Sequence, residues 1–271
     1  MAVEIGFTQY GDGPIRVLVL HDWFCDHSSW EGALPYLTPG RFTYAFADLR
    51  GYGASRGIEG DCTLDEAAGD AIALADRLGW TRFSLIGHSM SGLVVQRVAQ
   101  LVPDRIERIV AITPVAPAGM GLDAATKDVF RSLALAGDEE RYAGLTSMWG
   151  TRLSDTWIRY KLRRWRETAD PTALAKYVDL WGAADISEGA RGIATPMLIG
   201  RGAGCSAVSS GGVRSLNAAF LPQRALDFAR RVGSLPDAGT AAAAGNRDRA
   251  FPRGVTSTSV WRARRGRRFA D

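Results

Sequence analysis

Cysteine and long apolar runs are scarce in this sequence of 271 residues, and each scarcity excludes a class of protein. The three cysteines are an odd number without metal-ligand spacing, so we expect neither a disulfide framework nor a metal site. The longest apolar runs have the length of a strand, far below the roughly 20 residues of a membrane-spanning helix. The first residues show no secretory signal pattern. These features predict a cytoplasmic protein with no membrane partner.

Lysine is also rare, and it is missing from the basic end of the chain. Residues 201–271 contain 13 arginines, 4 aspartates and neither lysine nor glutamate, which gives a charge of +9 against −5 for residues 1–200. A basic tail can bind nucleic acid, but this one lacks interleaved aromatic residues and any nucleic-acid-binding motif. We therefore expect no nucleic-acid partner. The same composition is typical of coding DNA rich in G and C that is read out of frame, so the natural reading frame of this tail stays open.

Short apolar runs alternate with amphipathic stretches over most of the chain. Such runs, rich in branched and aromatic residues, predict strands at 15–20, 42–48, 82–87, 108–113 and 195–200. Between the second and third runs, Thr63 and Glu66 form a capping-box pattern at the start of an apolar helical stripe. Strands that alternate with helices predict a doubly wound, mostly parallel α/β sheet.

The pattern becomes purely helical from 119 to 192, which predicts a helical insertion. Core segments at 1–118 and 193–271 flank it, and the second of these includes the atypical tail. Four tryptophans fall within the insertion, at Trp149, Trp157, Trp165 and Trp181. They are either ordinary core residues of the insertion or the lining of a pocket for an apolar substrate group.

The stretch GHSMSG, residues 87–92, joins a predicted strand to a predicted helix through small residues. Such a turn, usually Gly-x-Ser-x-Gly, presents Ser89 at its tip as a nucleophile, and here Ser91 stands in place of the last glycine. The amide of Met90, at the start of the helix, can stabilise an oxyanion. No glycine-rich phosphate-binding fingerprint is present, so we expect no cofactor.

Three segments, VLVLHDWFCDHSSW, FADLRGYGAS and LIGHSMSG, occur in this order. On these segments the sequence resembles the α/β-hydrolase family over roughly its first 200 residues, in particular the small esterases and lactonases with a helical cap. The resemblance implies a serine hydrolase in which the Trp23 amide is the second oxyanion-hole donor beside that of Met90. In the family this loop normally reads His-Gly followed by a large residue. Here Asp22 replaces that glycine and places a negative side chain beside the oxyanion hole.

A general base for Ser89 is hard to find. The three histidines, His21, His27 and His88, all precede the serine, whereas the family order is serine, acid, histidine. By resemblance, Cys205 stands at the acid's place and Thr240 at that of the histidine. Asp123 is an alternative acid, because some hydrolases place it after the neighbouring strand. We interpret His21 as structural and His88 as a buried hydrogen-bonding group.

Two functions remain open. The first is hydrolysis of a small ester or lactone with an apolar or aromatic part, through an acyl-enzyme on Ser89, with activity impaired by the missing histidine. The alternative is a catalytically inactive protein of hydrolase fold that binds a small apolar ligand.

Overall fold

A computed structural model describes residues 3–149 and 154–200. Within these ranges, six strands form one sheet that is parallel except at one edge. The strands are β1 (Phe7–Tyr10), β2 (Ile15–Leu20), β3 (Phe42–Ala47), β4 (Phe83–His88), β5 (Ile106–Ile112) and β6 (Met197–Gly200). Their order is β1-β3-β2-β4-β5-β6, and only β1 runs antiparallel to its neighbour. The predicted doubly wound, mostly parallel sheet is confirmed.

Seven α-helices are described around or beside this sheet. They are α1 (Leu64–Arg77), α2 (Met90–Leu101), α3 (Ala124–Leu135), α4 (Asp138–Trp149), α5 (Asp155–Thr168), α6 (Pro171–Ala183) and α7 (Ser187–Ala190). A 3₁₀ helix covers His27–Tyr36. Helices α3 to α7 lie between β5 and β6 in sequence, where the purely helical pattern was predicted. The domain limits at 118 and 192 stay predictions.

Both faces of the sheet are apolar, and successive residues of a strand contribute their side chains to opposite faces. On β2, Val17 and Val19 belong to one buried cluster, whereas Leu18 and Leu20 belong to the larger core on the opposite face. A strand that is apolar on both faces is the signature of a central strand in a covered parallel sheet. This explains why the run IRVLVL does not alternate with polar residues beyond Arg16.

Helix α1 begins where its sequence predicts. The Thr63 hydroxyl accepts a hydrogen bond from the Glu66 amide at 3.2 Å. The Glu66 carboxylate in turn accepts one from the Cys62 amide at 2.6 Å, one residue before the cap. Two otherwise unpaired amide groups at the helix start are satisfied in this way.

Two hydrogen bonds join the helical insertion to loops at the edge of the sheet. The Asp170 amide donates to the Gly51 carbonyl at 2.7 Å, and the Trp23 indole donates to the Leu174 carbonyl at 2.9 Å. In the part of the chain that the structure describes, no helix has both the length and the apolar character needed to cross a bilayer. The tail beyond residue 200 lies outside the described residues.

Candidate active site

Ser89 occupies a sharp turn between β4 and α2. Its backbone has φ 53° and ψ −115°, a conformation that residues with a side chain rarely adopt. Its amide donates to the Ile112 carbonyl at 2.9 Å, and its carbonyl accepts from Gly92 and Val115 at 2.9 and 3.0 Å. Because β5 and the start of α2 both hold this residue, the strained turn is fixed by its surroundings. Ser89 is partly exposed.

Small residues around the turn are required by close packing. A Cβ on Gly87 would lie 2.3 Å from the Ser91 carbonyl oxygen, and one on Gly92 would lie 2.3 Å from Cβ of Pro114. Ser91 itself is fully buried, and its hydroxyl donates to the His21 carbonyl at 2.5 Å. The serine that stands in place of the last glycine of the motif is therefore accommodated with its hydroxyl paired.

The amides of Trp23 and Met90 have no acceptor among the described residues. Met90 is the first residue of α2, where the helix dipole favours negative charge. Trp23 is anchored from two sides, because its carbonyl accepts from the Tyr52 hydroxyl at 2.8 Å and its indole donates to Leu174. The role of both amides as an oxyanion hole stays a prediction.

Aromatic side chains surround Trp23 and form one cluster, which we call the aromatic cluster. Its ring centroids lie 4.9–6.0 Å apart in the recorded pairs. The members are Trp23, Phe24, Phe130, Trp165 and Trp181. Two of the four tryptophans in the predicted helical insertion, Trp165 and Trp181, are thus buried in the core. Trp157 is partly exposed, and the side chain of Trp149 lies outside the description.

Asp22 is buried in the loop of residues 21–25, which we call the β2 loop. One of its carboxylate oxygens accepts from the amides of Phe24 and Cys25 at 2.7 and 3.2 Å. The other lies 3.6 Å from Lys161 Nζ and 3.5 Å from His88 Nδ1. Burial alone would raise the pKa of Asp22, but Lys161, His88 and the Phe24 amide hold it well below its usual value.

Lys161, which sequence reasoning missed, reaches this carboxylate from α5. Its ammonium group also donates to the Cys25 thiol at 3.3 Å. Burial would lower the pKa of Lys161, but Asp22 and Cys25 raise it above its ordinary value, so the side chain stays charged. Burial raises the pKa of the Cys25 thiol to about 11, which keeps it protonated. The rarity of lysine is the one signal in the sequence that singles this residue out.

The three histidines have distinct surroundings. His21 is fully buried, with Nε2 accepting from the Leu49 amide at 3.1 Å and Nδ1 2.7 Å from the Asp22 carbonyl, in line with a structural role. His27 pairs with Asp48 at 2.9 Å. The prediction that His88 is buried is wrong, since its side chain is 35% exposed at the edge of the aromatic residue Trp30. His88 is the last residue of β4, whose residues alternate between buried and partly exposed, and it falls on the partly exposed side.

Asp123 lies at the start of α3. Its carboxylate accepts from the Thr126 amide at 2.8 Å and is exposed, and the Thr126 contacts lower its pKa. Within the described ranges, no hydrogen bond joins Asp123 to Ser89 or to a histidine. Its role as a catalytic acid stays a prediction beside this capping contact. The positions of Cys205 and Thr240 lie outside the described residues.

Ligand-type atoms of Asp26, His27 and Asp48 lie within 4.8 Å of one another. Asp26 accepts from the Ser28 amide and hydroxyl, and Asp48 accepts from His27. Donors of the chain itself therefore already pair with Asp26 and Asp48 in this cluster.

The model of the α/β-hydrolase fold family matches residues 15–199. The chain belongs to the α/β-hydrolase fold family. It is 37% identical over 102 residues to a pimeloyl-[acyl-carrier protein] methyl ester esterase of Nitrosomonas europaea, which is 38% of each chain. It is 36% identical over 98 residues to a 2-heptyl-3-hydroxy-4(1H)-quinolone dioxygenase of Mycobacteroides abscessus, which is 36% of each chain. The chain therefore spans little more than a third of these relatives.

Solved structures share the fold over a larger part of the chain. A bromoperoxidase from Bacillus anthracis has a TM-score of 0.63 at 24% identity, over 72% of this chain and 75% of that one. The enol-lactonase from Burkholderia xenovorans LB400 has a TM-score of 0.57 at 24% identity, over 72% and 76%. At identities below 25%, these likenesses establish the fold alone.

Proposed function

We propose that the protein is a serine hydrolase of small carboxylic esters or lactones. The observation that carries this proposal is the strained backbone of Ser89 between a parallel strand and a helix. Strain of this kind is held in place by β5 and α2 rather than relieved, which is typical of a residue presented for reaction. An esterase and an enol-lactonase are among the proteins that resemble this chain.

The proposed reaction proceeds through an acyl-enzyme. Ser89 Oγ attacks the carbonyl carbon of the ester, its proton passes to solvent, and the carbonyl oxygen becomes an oxyanion. The amides of Trp23 and Met90 stabilise that oxyanion by hydrogen bonds. The carbonyl then re-forms as the C–O bond to the alcohol breaks, and the alcohol takes a proton from solvent. Water hydrolyses the acyl group, which releases the acid and regenerates the serine.

The proton transfer is the weak step of this scheme. No histidine follows Ser89 in the sequence. Removal of the histidine from a catalytic triad lowers kcat about a million-fold, while the oxyanion hole and binding still give roughly 10³-fold over water. The proposed enzyme is therefore a slow hydrolase. Because so large a loss of kcat could leave no useful activity, a protein that binds a small apolar ligand without turnover is the second candidate.

The partly exposed members of the aromatic cluster, Phe24 and Phe130, favour a substrate with an apolar or aromatic part. Trp23 joins the cluster through its indole and belongs to the proposed oxyanion hole through its amide. An apolar group beside these rings would be removed from water, at a gain of about 25 cal/mol per Å² of buried apolar surface. The proposed substrate is a small molecule, and the reaction requires no cofactor.

Hydrolysis of p-nitrophenyl esters with acyl chains of increasing length tests the proposal. We expect a slow rate above the uncatalysed one for the full chain, and its loss in the variant Ser89→Ala. A small lactone serves as the second substrate. Quenching of tryptophan fluorescence by an aryl ester that the protein does not hydrolyse would instead support the ligand-binding function.

A further inference from the structure

The aspartate in the β2 loop folds back onto the backbone that follows it. Oδ1 of Asp22 accepts from the amides two and three residues ahead, on Phe24 and Cys25, and leaves the intervening Trp23 amide unpaired among the described residues. This is a local side-chain turn of the kind that aspartate forms readily. Asp22 thus shapes the loop around the amide that the proposed function uses.

The same side chain creates an electrostatic problem. Asp22 is 6% exposed, so its negative charge is poorly screened and lies one residue from a group that would bind an oxyanion. A carboxylate at that place opposes the negative charge that forms in an acyl-transfer transition state. Glycine, which the resemblance would place here, brings no such charge.

A lysine of the helical insertion forms an ion pair with Asp22 and offsets its charge. Lys161 Nζ lies 3.6 Å from Asp22 Oδ2, and its side chain is only 12% exposed. It reaches the β2 loop from α5, 139 residues further along the chain. His88 contacts the same oxygen at 3.5 Å. Lys161 is the only one of the three lysines that meets a carboxylate in the β2 loop, within the described structure.

We propose that Lys161 is a positioning residue that neutralises Asp22 and thereby makes the Trp23 amide usable for oxyanion stabilisation. This inference rests on the proposed function of Ser89. It assigns to the insertion an electrostatic part in catalysis besides any part in substrate binding. The alternative, that the ion pair merely fastens α5 to the β2 loop, predicts effects on stability alone.

A double-mutant cycle on the full chain separates the two accounts. The variants are Lys161→Met, which keeps the length of the side chain, Asp22→Asn, which keeps the acceptor oxygen, and the double variant. The readouts are the rate at which a fluorophosphonate labels Ser89 and the midpoint of thermal unfolding. Arg164→Met is the matched control, because Arg164 also lies on α5 and contacts Asp26 and Ser28 of the same region at 3.5 and 2.5 Å.

Lys161→Met should slow the labelling about ten-fold or more, since it removes the ammonium group that offsets the Asp22 charge. The double variant should label within about three-fold of Asp22→Asn, because no charge then remains to be neutralised. Arg164→Met should lower the unfolding midpoint with little change in labelling. If Lys161→Met does not fold, the comparison of Asp22→Asn with the double variant still tests the claim.

Three results would overturn the inference. Equal labelling of Lys161→Met and the wild-type chain would overturn it while leaving the proposed function intact. So would a double variant that labels ten-fold more slowly than Asp22→Asn. A wild-type chain that takes up no phosphonate would overturn the proposed function and, with it, the role of Lys161.

Discussion

The imidazole of His27 is held by Asp48, with Nδ1 2.9 Å from both carboxylate oxygens. Asp48 is fully buried and also accepts from the amides of His27 and Ala54 at 2.8 and 2.9 Å. The hydrogen bond that His27 donates to Asp48 raises the pKa of His27, against the opposing effect of burial. Burial would raise the pKa of Asp48, but His27 and the amides lower it. This pair joins the end of β3 to the start of the 3₁₀ helix.

Stability should depend on pH through this pair. Since the folded pKa of His27 is raised, its contribution is fully present below the unfolded value of about 6.5 and is lost as pH rises through the folded pKa. The contribution of Asp48, whose folded pKa is lowered, is present above about 3.8 and is lost at lower pH. The free energy of unfolding of the wild-type chain minus that of His27→Asn should therefore be largest between these two values. Denaturant titrations at a series of pH values measure it, and a difference that does not fall above pH 6.5 would contradict the pairing.

The glycine after the turn should tolerate no side chain. Gly92→Ala places a Cβ 2.3 Å from Cβ and 2.6 Å from Cα of Pro114, so something in the backbone must move. We expect a loss of at least about 1–3 kcal/mol in the free energy of unfolding. Gly69→Ala is the matched control, because Gly69 is exposed within α1 with nothing within 4 Å of its added Cβ.

The control should gain stability. Alanine in the interior of an exposed helix is favoured over glycine by about 0.5–1 kcal/mol. Urea unfolding should therefore show changes of opposite sign in the free energy of unfolding of the two variants. A stabilising or neutral Gly92→Ala would show that α2 does not pack against Pro114 as described.

Two tryptophans of the aromatic cluster should differ in their response to phenylalanine. Both Trp23 and Trp165 are buried, but only the Trp23 indole has a recorded acceptor, the Leu174 carbonyl, within the described residues. Trp23→Phe should therefore cost about 0.5–1.5 kcal/mol more than Trp165→Phe in the free energy of unfolding. Equal losses, measured under the same conditions, would argue against this link between the β2 loop and α6.

Local patterns in the sequence were sufficient for the sheet and for the turn at Ser89. Apolar runs of strand length predicted β2 to β6 within a few residues, and the strain at Ser89 follows from small residues between a strand and a helix. The capping box at Thr63 needed only neighbouring residues. Such features depend on contacts within a few positions of the chain.

The ion pair of Asp22 and Lys161 could not be predicted in the same way. It joins residues 139 positions apart, and it exists only because α5 packs against the β2 loop. The sequence alone shows Asp22 only as a negative charge in place of a glycine beside the proposed oxyanion hole. In the fold its charge is opposed by Lys161, and its oxygen shapes the loop by accepting from Phe24 and Cys25.

The most direct test of the account is the site of attachment of a fluorophosphonate on the full chain. Intact mass followed by peptide mapping should find one adduct, on Ser89, which Ser89→Ala abolishes. The control Ser91→Gly, which restores the usual residue of the motif, should keep the adduct, because the Ser91 hydroxyl is buried against the His21 carbonyl. A natively folded chain with no adduct, or with an adduct that survives Ser89→Ala, would contradict the assignment of Ser89 as the nucleophile.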